Sequence, residues 1–190
     1  MFAFKKKYFL IIESIKDINL RNIKKHNKYS IIYRNKQYKE NFNELLKFRK
    51  ECRLKIIDFY VANNIKLSIQ LNSDGIYLSS YNKIFSVLNI KRLNFKIIGS
   101  AHNFKEIFLK MKQGCSCIFL SKLFLVDYNL KAPFLDVIKF NNYSNSIQGK
   151  LAPLGGIKIS NLNKLKTVDC DSFAVLSGIK KKPAIIDRLF

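Results

Sequence analysis

The run "FKIIGSAHNFKEIFLKMKQGCSCIFLS", Phe95 to Ser121, decides how this chain is read. It opens on one short apolar segment, "FKIIGS" (95–100), and closes on another, "CSCIFLS" (115–121). Both carry the β-branched and aromatic residues that suit strands. Between them Phe104, Ile107, Phe108 and Met111 recur at i, i+3, i+4 and i+7, the spacing of one helix face. Asn103 is placed to cap that helix and Gly114 to end it. Strand, helix, strand in one continuous stretch is the unit from which parallel sheets are built.

The pattern repeats on both sides. Strand-like runs occur at "YFLIIES" (8–14), "YSIIYR" (29–34), "KIIDFYV" (55–61), "DGIYLSS" (74–80), "KLAPLGG" (150–156) and "DSFAVLSG" (171–178). Helical patterns cover Asn41 to Cys52 and run from Ser160 through Leu162, Leu165 and Val168. Eight strands at roughly 20–25 residues per unit predict one domain, residues 1–190, folded as a closed (β/α)8 barrel. A doubly wound sheet is the alternative that periodicity alone leaves open. The sixth crossover, 127–148, is only partly helical in pattern, and "KPAIIDRLF" leaves room for a short last helix. The barrel is therefore a minimal one, shorter than the roughly 250 residues typical of the fold.

Composition narrows the class. Hydrophobic residues make up 48% of the 190, enough for a packed core. No apolar run reaches the roughly 18–20 residues that span a bilayer. The opening "MFAFKKKYFLIIES" meets Glu13 without a small-residue cleavage site, so it reads as a strand and the expected compartment is the cytoplasm, with no membrane partner. Lys and Arg number 35 against 13 Asp and Glu, a net charge of +22 that draws phosphates and nucleic acid by long-range field. The lysines are spread along the chain and accompany many Asn, Ile and Phe residues, as biased nucleotide composition produces. Charge alone therefore does not assign a nucleic-acid partner. Cys52, Cys115, Cys117 and Cys170 form no metal-spaced pair with one another or with His26 and His102, and Cys115 and Cys117 read as core thiols.

In such a barrel the site lies at the C-terminal strand ends. Taken in order these carry Arg34 and Lys36, then Asn63 and Asn64, then Ser79, Ser80 and Asn82. Ser100 and His102 follow, then Lys122, Gly155-Gly156 and Ser177-Gly178. The set is basic and polar, with almost no carboxylate, and reads as a site for an anion. Loops after strands seven and eight that offer free N–H groups can hold a phosphate, and glycine admits its close approach.

The stretch "APLGGIKISNLNKLKTVDCDSFAVLSGI" resembles the last third of the thiamine phosphate synthase/TenI family. "YRNK", "VANNIKLSIQLNSDGIYLSSYN" and "IIGSAHNFKE" resemble further family segments in the right order, over about Tyr29 to Ile179. The resemblance implies thiamin biosynthesis, in which hydroxymethylpyrimidine diphosphate is joined to hydroxyethylthiazole phosphate with the help of Mg²⁺. It implies a small-molecule phosphate ligand, with thiazole phosphate at Gly155, Gly156, Leu176 and Ser177, and diphosphate at Arg34 and Lys36. Ser100 falls in the family's Ser-x-His segment. The two Mg²⁺-binding aspartates correspond to Asn63 and Asn82, neutral amides that suit a hard dication poorly. Asn63 is therefore expected to touch substrate and not metal. Tyr77 stands in place of the family's histidine.

The TenI branch, which also lacks the metal carboxylates and has a strand eight similar to "VLSGI", isomerises a thiazole carboxylate phosphate by proton transfer. Its catalytic histidine aligns with Lys122. Lys122 and His102 are the catalytic candidates, His102 competing with a role as a helix-start residue that bonds locally. TenI-like isomerisation is the leading expectation. An active synthase and a non-catalytic phosphate-binding or nucleic-acid-binding barrel are the alternatives. Family members often dimerise, so a homodimer is a further expectation.

Overall fold

Inward and outward residues alternate along every strand, and that alternation builds the molecule. The computed structural model describes residues 7–23, 26–35, 40–90, 94–127, 129, 131–147 and 151–176. The strands are β1 (Lys7–Ile12), β2 (Tyr29–Tyr33), β3 (Asp58–Ala62) and β4 (Gly75–Leu78), then β5 (Lys96–Ala101), β6 (Cys117–Ser121), β7 (Leu151–Leu154) and β8 (Ser172–Val175). All pairs are parallel, and β1 pairs with β8, so the sheet closes in sequence order. The expected barrel is the observed one.

In β1, Phe9 and Ile11 point into the barrel while Tyr8, Leu10 and Ile12 face the outer layer. The interior is filled by Phe9, Ile32, Tyr60, Tyr77, Ile98 and Phe119 with smaller residues from β7 and β8. The Phe9 and Phe119 rings meet edge-on at 4.9 Å. These side chains plug the barrel and form the floor beneath its mouth.

Four α-helices lie among the described residues: α1 (Phe42–Leu54), α2 (Ile65–Gln70), α3 (Phe104–Lys112) and α4 (Asp136–Ser146). Asn41, Asn64 and Asn103 cap the first three through their side-chain oxygens. Gly114, with φ +76°, follows α3 as its spacing predicts. Three expectations are corrected. Among the described residues the β1–β2 and β4–β5 connections hold short 3-10 turns in place of the helices that an eightfold strand–helix repeat implies. The segment predicted as a helix from Ser160 is a 3-10 helix, Ile159–Thr167. On α3, Ile107 is buried as expected, but Phe104 and Phe108 face outward and Lys110 takes the buried position. Phe104 packs edge-on against Tyr143 of α4 at 4.4 Å, so this part of the predicted apolar stripe serves helix-to-helix contact, while Ile107 and Met111 pack on the core. The region of the predicted last helix lies outside the described residues.

Charges tie the bottom of the barrel. Arg49 of α1 is buried; its guanidinium donates to Asp74 at 2.9 Å and to the Asn72 carbonyl at 3.1 Å. Asp74 in turn accepts from the Phe59 N–H at 2.7 Å, which joins α1, β3 and the start of β4. Nearby Asp58 accepts from Lys7 and Lys96. Burial pushes the Asp58 carboxyl up, but the Lys7 hydrogen bond and the charges of Lys7 and Lys96 together outweigh it and hold it below its usual range. A carboxylate depressed in the fold stabilises above its unfolded pKa of about 4 and loses that contribution as pH falls through the lower folded value. Asp58→Asn is expected to lower stability by about 1 kcal/mol at neutral pH, with the difference vanishing in denaturant titrations as pH falls through the depressed folded pKa.

None of the four cysteines is joined in a disulfide. Burial pushes the Cys52 and Cys115 thiols up to about 12, as suits inert core residues. Among the described residues no helix is long and apolar enough to cross a membrane.

Candidate ligand site at the barrel mouth

Carried past the strand ends, the same alternation builds the wall of a cavity. The inward series of β1 continues to Glu13, that of β2 to Arg34 and that of β4 to Ser79 and Tyr81. In β5 it runs to Ser100 and His102, in β6 to Ser121 and in β8 to Leu176. Lys122, Gly155 and Gly156 complete a mouth of about 560 Å³ over the aromatic plug. That volume suits a small molecule.

Of the residues expected at the site, Arg34, Ser100, His102, Lys122, Gly155, Gly156 and Leu176 line this one cavity. Lys36 and Ser177 lie outside the described residues. The Nε of Arg34 is buried and has no hydrogen-bond partner among the described residues. A buried cationic donor in that state has an open place for an acceptor. Tyr77 stands beside it on the floor. Burial pushes its hydroxyl up, while hydrogen bonding to Ser100 and the charge of Arg34 act against that rise.

His102 does more than start a helix. Its main-chain N–H donates to Glu106 Oε2 at 2.7 Å. Its ring, however, reaches the next strand, with Nδ1 lying 2.8 Å from Ser121 Oγ and 3.1 Å from the Ser121 carbonyl oxygen. Both nearest partners of Nδ1 are thus on Ser121, which fixes the plane of the imidazole at the cavity wall.

The glycine pair has a structural cause of its own. Gly155 and Gly156 have φ +92° and +70°. A Cβ on Gly156 would lie 2.2 Å from the Phe124 carbonyl oxygen, whereas one on Gly155 would meet Lys122 atoms at 3.3 Å. The loop after β6 runs this close because Leu123 N–H donates to the Leu154 carbonyl and Phe124 N–H to the Gly155 carbonyl. Lys158 and Asp127 form an ion pair between the same two loops. Asn161 Nδ2 donates to the Gly156 carbonyl at 2.8 Å. The N–H groups of Gly155 and Gly156 have no partner among the described residues.

Asn63 is placed differently. It follows the outward series of β3, with φ +58°, and does not line the cavity. Its Oδ1 accepts from the Ser79 N–H at 2.9 Å and from Asn82 Nδ2 at 3.1 Å. Its Nδ2 donates to Ser79 Oγ at 2.8 Å and to the Tyr81 hydroxyl at 3.1 Å. The Oδ1 of Asn82 accepts from the Ile84 N–H at 2.9 Å. A Mg²⁺ ion at this place would need oxygen ligands that already accept N–H groups, from side chains that carry no charge. No group of three His, Cys, Asp or Glu residues that could hold a metal occurs among the described residues. The residues present do not fit Mg²⁺.

Glu13, Tyr81 and Ser121 are cavity residues that the strand-end reading missed. Counting inward positions by twos beyond each strand would have found them.

A family model described as thiamine monophosphate synthase matches residues 17–179. The thiamine-phosphate synthase of Clostridium acetobutylicum is 23% identical over 150 residues, 77% of this chain and 70% of that protein. The enzyme of that name from Clostridioides difficile is 21% identical over 151 residues, 78% of this chain and 71% of that protein. Among solved structures, thiamine phosphate pyrophosphorylase from Pyrococcus furiosus superposes with a TM-score of 0.71 at 17% identity, covering 98% of both chains. That superposition bears on the fold.

Proposed function

This chain belongs to the thiamine monophosphate synthase family, and we propose that it binds hydroxyethylthiazole phosphate, or the carboxylate precursor of that compound, at the C-terminal mouth of its barrel. The observation that carries the proposal is a small-molecule cavity in which the buried Arg34 Nε has no acceptor among the described residues. Lys122, Gly155 and Gly156 line the same cavity. A phosphate supplies the acceptors that such donors require.

The reaction proposed is a TenI-like isomerisation of the bound thiazole. It needs one group to take a proton from the ring system and one to return it, and no metal. His102, held by Ser121, and Lys122 are adjacent along the mouth and are the residues assigned to that transfer. The second reading is condensation with hydroxymethylpyrimidine diphosphate. It is favoured by the name that the relatives in Clostridium acetobutylicum and Clostridioides difficile carry and opposed by the closed pairing of Asn63 with Asn82.

The test is incubation with both synthase substrates, with and without Mg²⁺, followed by fluorescence assay of thiamin phosphate. No product is expected, while hydroxyethylthiazole phosphate alone raises the melting temperature. Mg²⁺-dependent product would replace isomerisation by synthase activity. Absence of any thermal shift would remove the ligand reading itself.

A further inference from the structure

We infer that Lys110, a fully buried residue of α3, is a positioning residue for the ligand site, clamping the loop after β4 that forms one wall of the cavity. The inference rests on the proposed ligand reading only for its binding consequence. The clamp itself is separately measurable.

The bonds form a continuous chain. Lys110 Nζ donates to the Asn82 carbonyl at 2.7 Å and to Gln113 Oε1 at 3.0 Å. Gln113 Nε2 donates to the Asn82 carbonyl at 3.2 Å and the Ile84 carbonyl at 2.8 Å. Two buried side chains from one helix end thus hold the outer side of the loop through its main chain. On the inner side, Asn82 Nδ2 reaches Asn63, and Asn63 in turn bonds Ser79 and Tyr81. Ser79 and Tyr81 are cavity residues. Burying a lysine that has Glu106 near it but no carboxylate in ion-pair contact among the described residues is costly, so a residue at 0% exposure implies strong use of its donors. The Lys110 stem fits because Gly99 lacks a Cβ, which would lie 2.9 Å from Lys110 Cδ. Where a bound metal could order this loop from the cavity side, the chain supplies its own donors from behind.

Lys110→Met keeps most of the stem and removes the donor. Hydrogen exchange of the main-chain amides in 79–85 is expected to quicken at least about tenfold relative to β5 and α3, in the ligand-free protein. Affinity for hydroxyethylthiazole phosphate, measured in EDTA where the variant is fully folded, is expected to fall about tenfold, the loss of one hydrogen bond made by a cationic donor, and added Mg²⁺ is expected not to restore it. Asn82→Ala breaks the next link without touching Lys110, and the same affinity loss is expected. The double variant is expected to be no weaker than the weaker single one.

Unchanged exchange in 79–85 of a folded Lys110→Met protein would overturn the clamp. So would wild-type affinity in both variants, or recovery with Mg²⁺. If Lys110→Met does not fold, unchanged affinity and unchanged 79–85 exchange in Asn82→Ala overturn it. If the wild-type protein binds no thiazole phosphate, the ligand reading fails and the exchange measurement alone decides on the clamp.

Discussion

Arg34→Ala is expected to weaken binding of hydroxyethylthiazole phosphate about 100-fold, close to 2.7 kcal/mol, while changing the melting temperature of the ligand-free protein little. The first half follows from geometry. Arg34 lies one inward step beyond Ile32, its Nε is shielded from water, and the described residues offer it no acceptor. A buried donor in that state gains most from a charged acceptor, and removing it leaves the ligand's own charge in a poorly solvated cavity. The second half follows from the same fact. The unmet Nε carries a desolvation cost in the free fold, which offsets what the guanidinium gains from its hydrogen bond with Tyr77. Isothermal titration beside a melting curve separates the two. Loss of stability with affinity intact would make Arg34 a structural residue and move the ligand elsewhere in the mouth.

Gly156→Ala is expected to lower stability by about 2–4 kcal/mol, and Gly155→Ala by about 1 kcal/mol. Each forces an L residue to positive φ, a penalty of about 1 kcal/mol. They differ in what the new methyl meets. At Gly156 it meets the main chain of Phe124 and Leu125, at 2.2 Å and 2.7 Å, which cannot yield without moving the whole loop, an overpacking cost of about 1–3 kcal/mol. At Gly155 it meets Lys122 at 3.3 Å, which a small shift relieves. Urea titration of the two variants gives the comparison. Equal losses would show that the left-handed backbone dominates and that the approach of Phe124 does not matter. Because that loop carries Lys122, the Gly156 variant is also expected to bind ligand less well at temperatures where it is folded.

These two residues mark how far sequence reasoning reached. The eight strands were legible because short β-branched runs between polar breaks recur, and a sheet buried on both faces leaves that signature. The cap at Asn103 was legible because a cap is a local device. What failed depends on partners distant in sequence. Gly156 invites explanation by a ligand, yet its tightest neighbour is a carbonyl about thirty residues earlier, brought there by the loop after β6. Lys110 looks like a solvated helix residue until the loop after β4 supplies acceptors for it. Phe104 and Phe108 sit at core spacing, but a second helix and not the barrel receives Phe104. Asn63 stood among the strand-end residues, and only its parity, one step out of phase with Ala62, told that it stands behind Ser79 and Tyr81 and does not line the cavity. Glu13 and Ser121 were hidden for the converse reason, as their phase is right but neither type stands out in a search for cations and glycines.

The ring of strands is unevenly fastened. Among the described residues β1 and β2 share five registered pairs, whereas β7 and β8 share one, Leu154 with Ala174. Slow breathing of the barrel should therefore begin at this seam, with the sheet parting like a cuff at its button while the other seven joints stay shut. The loops that follow these two strands begin at Gly155 and Leu176, on either side of the seam. A ligand resting on both is expected to act as a clasp, its arrival slowing hydrogen exchange of amides far below the mouth that it never touches.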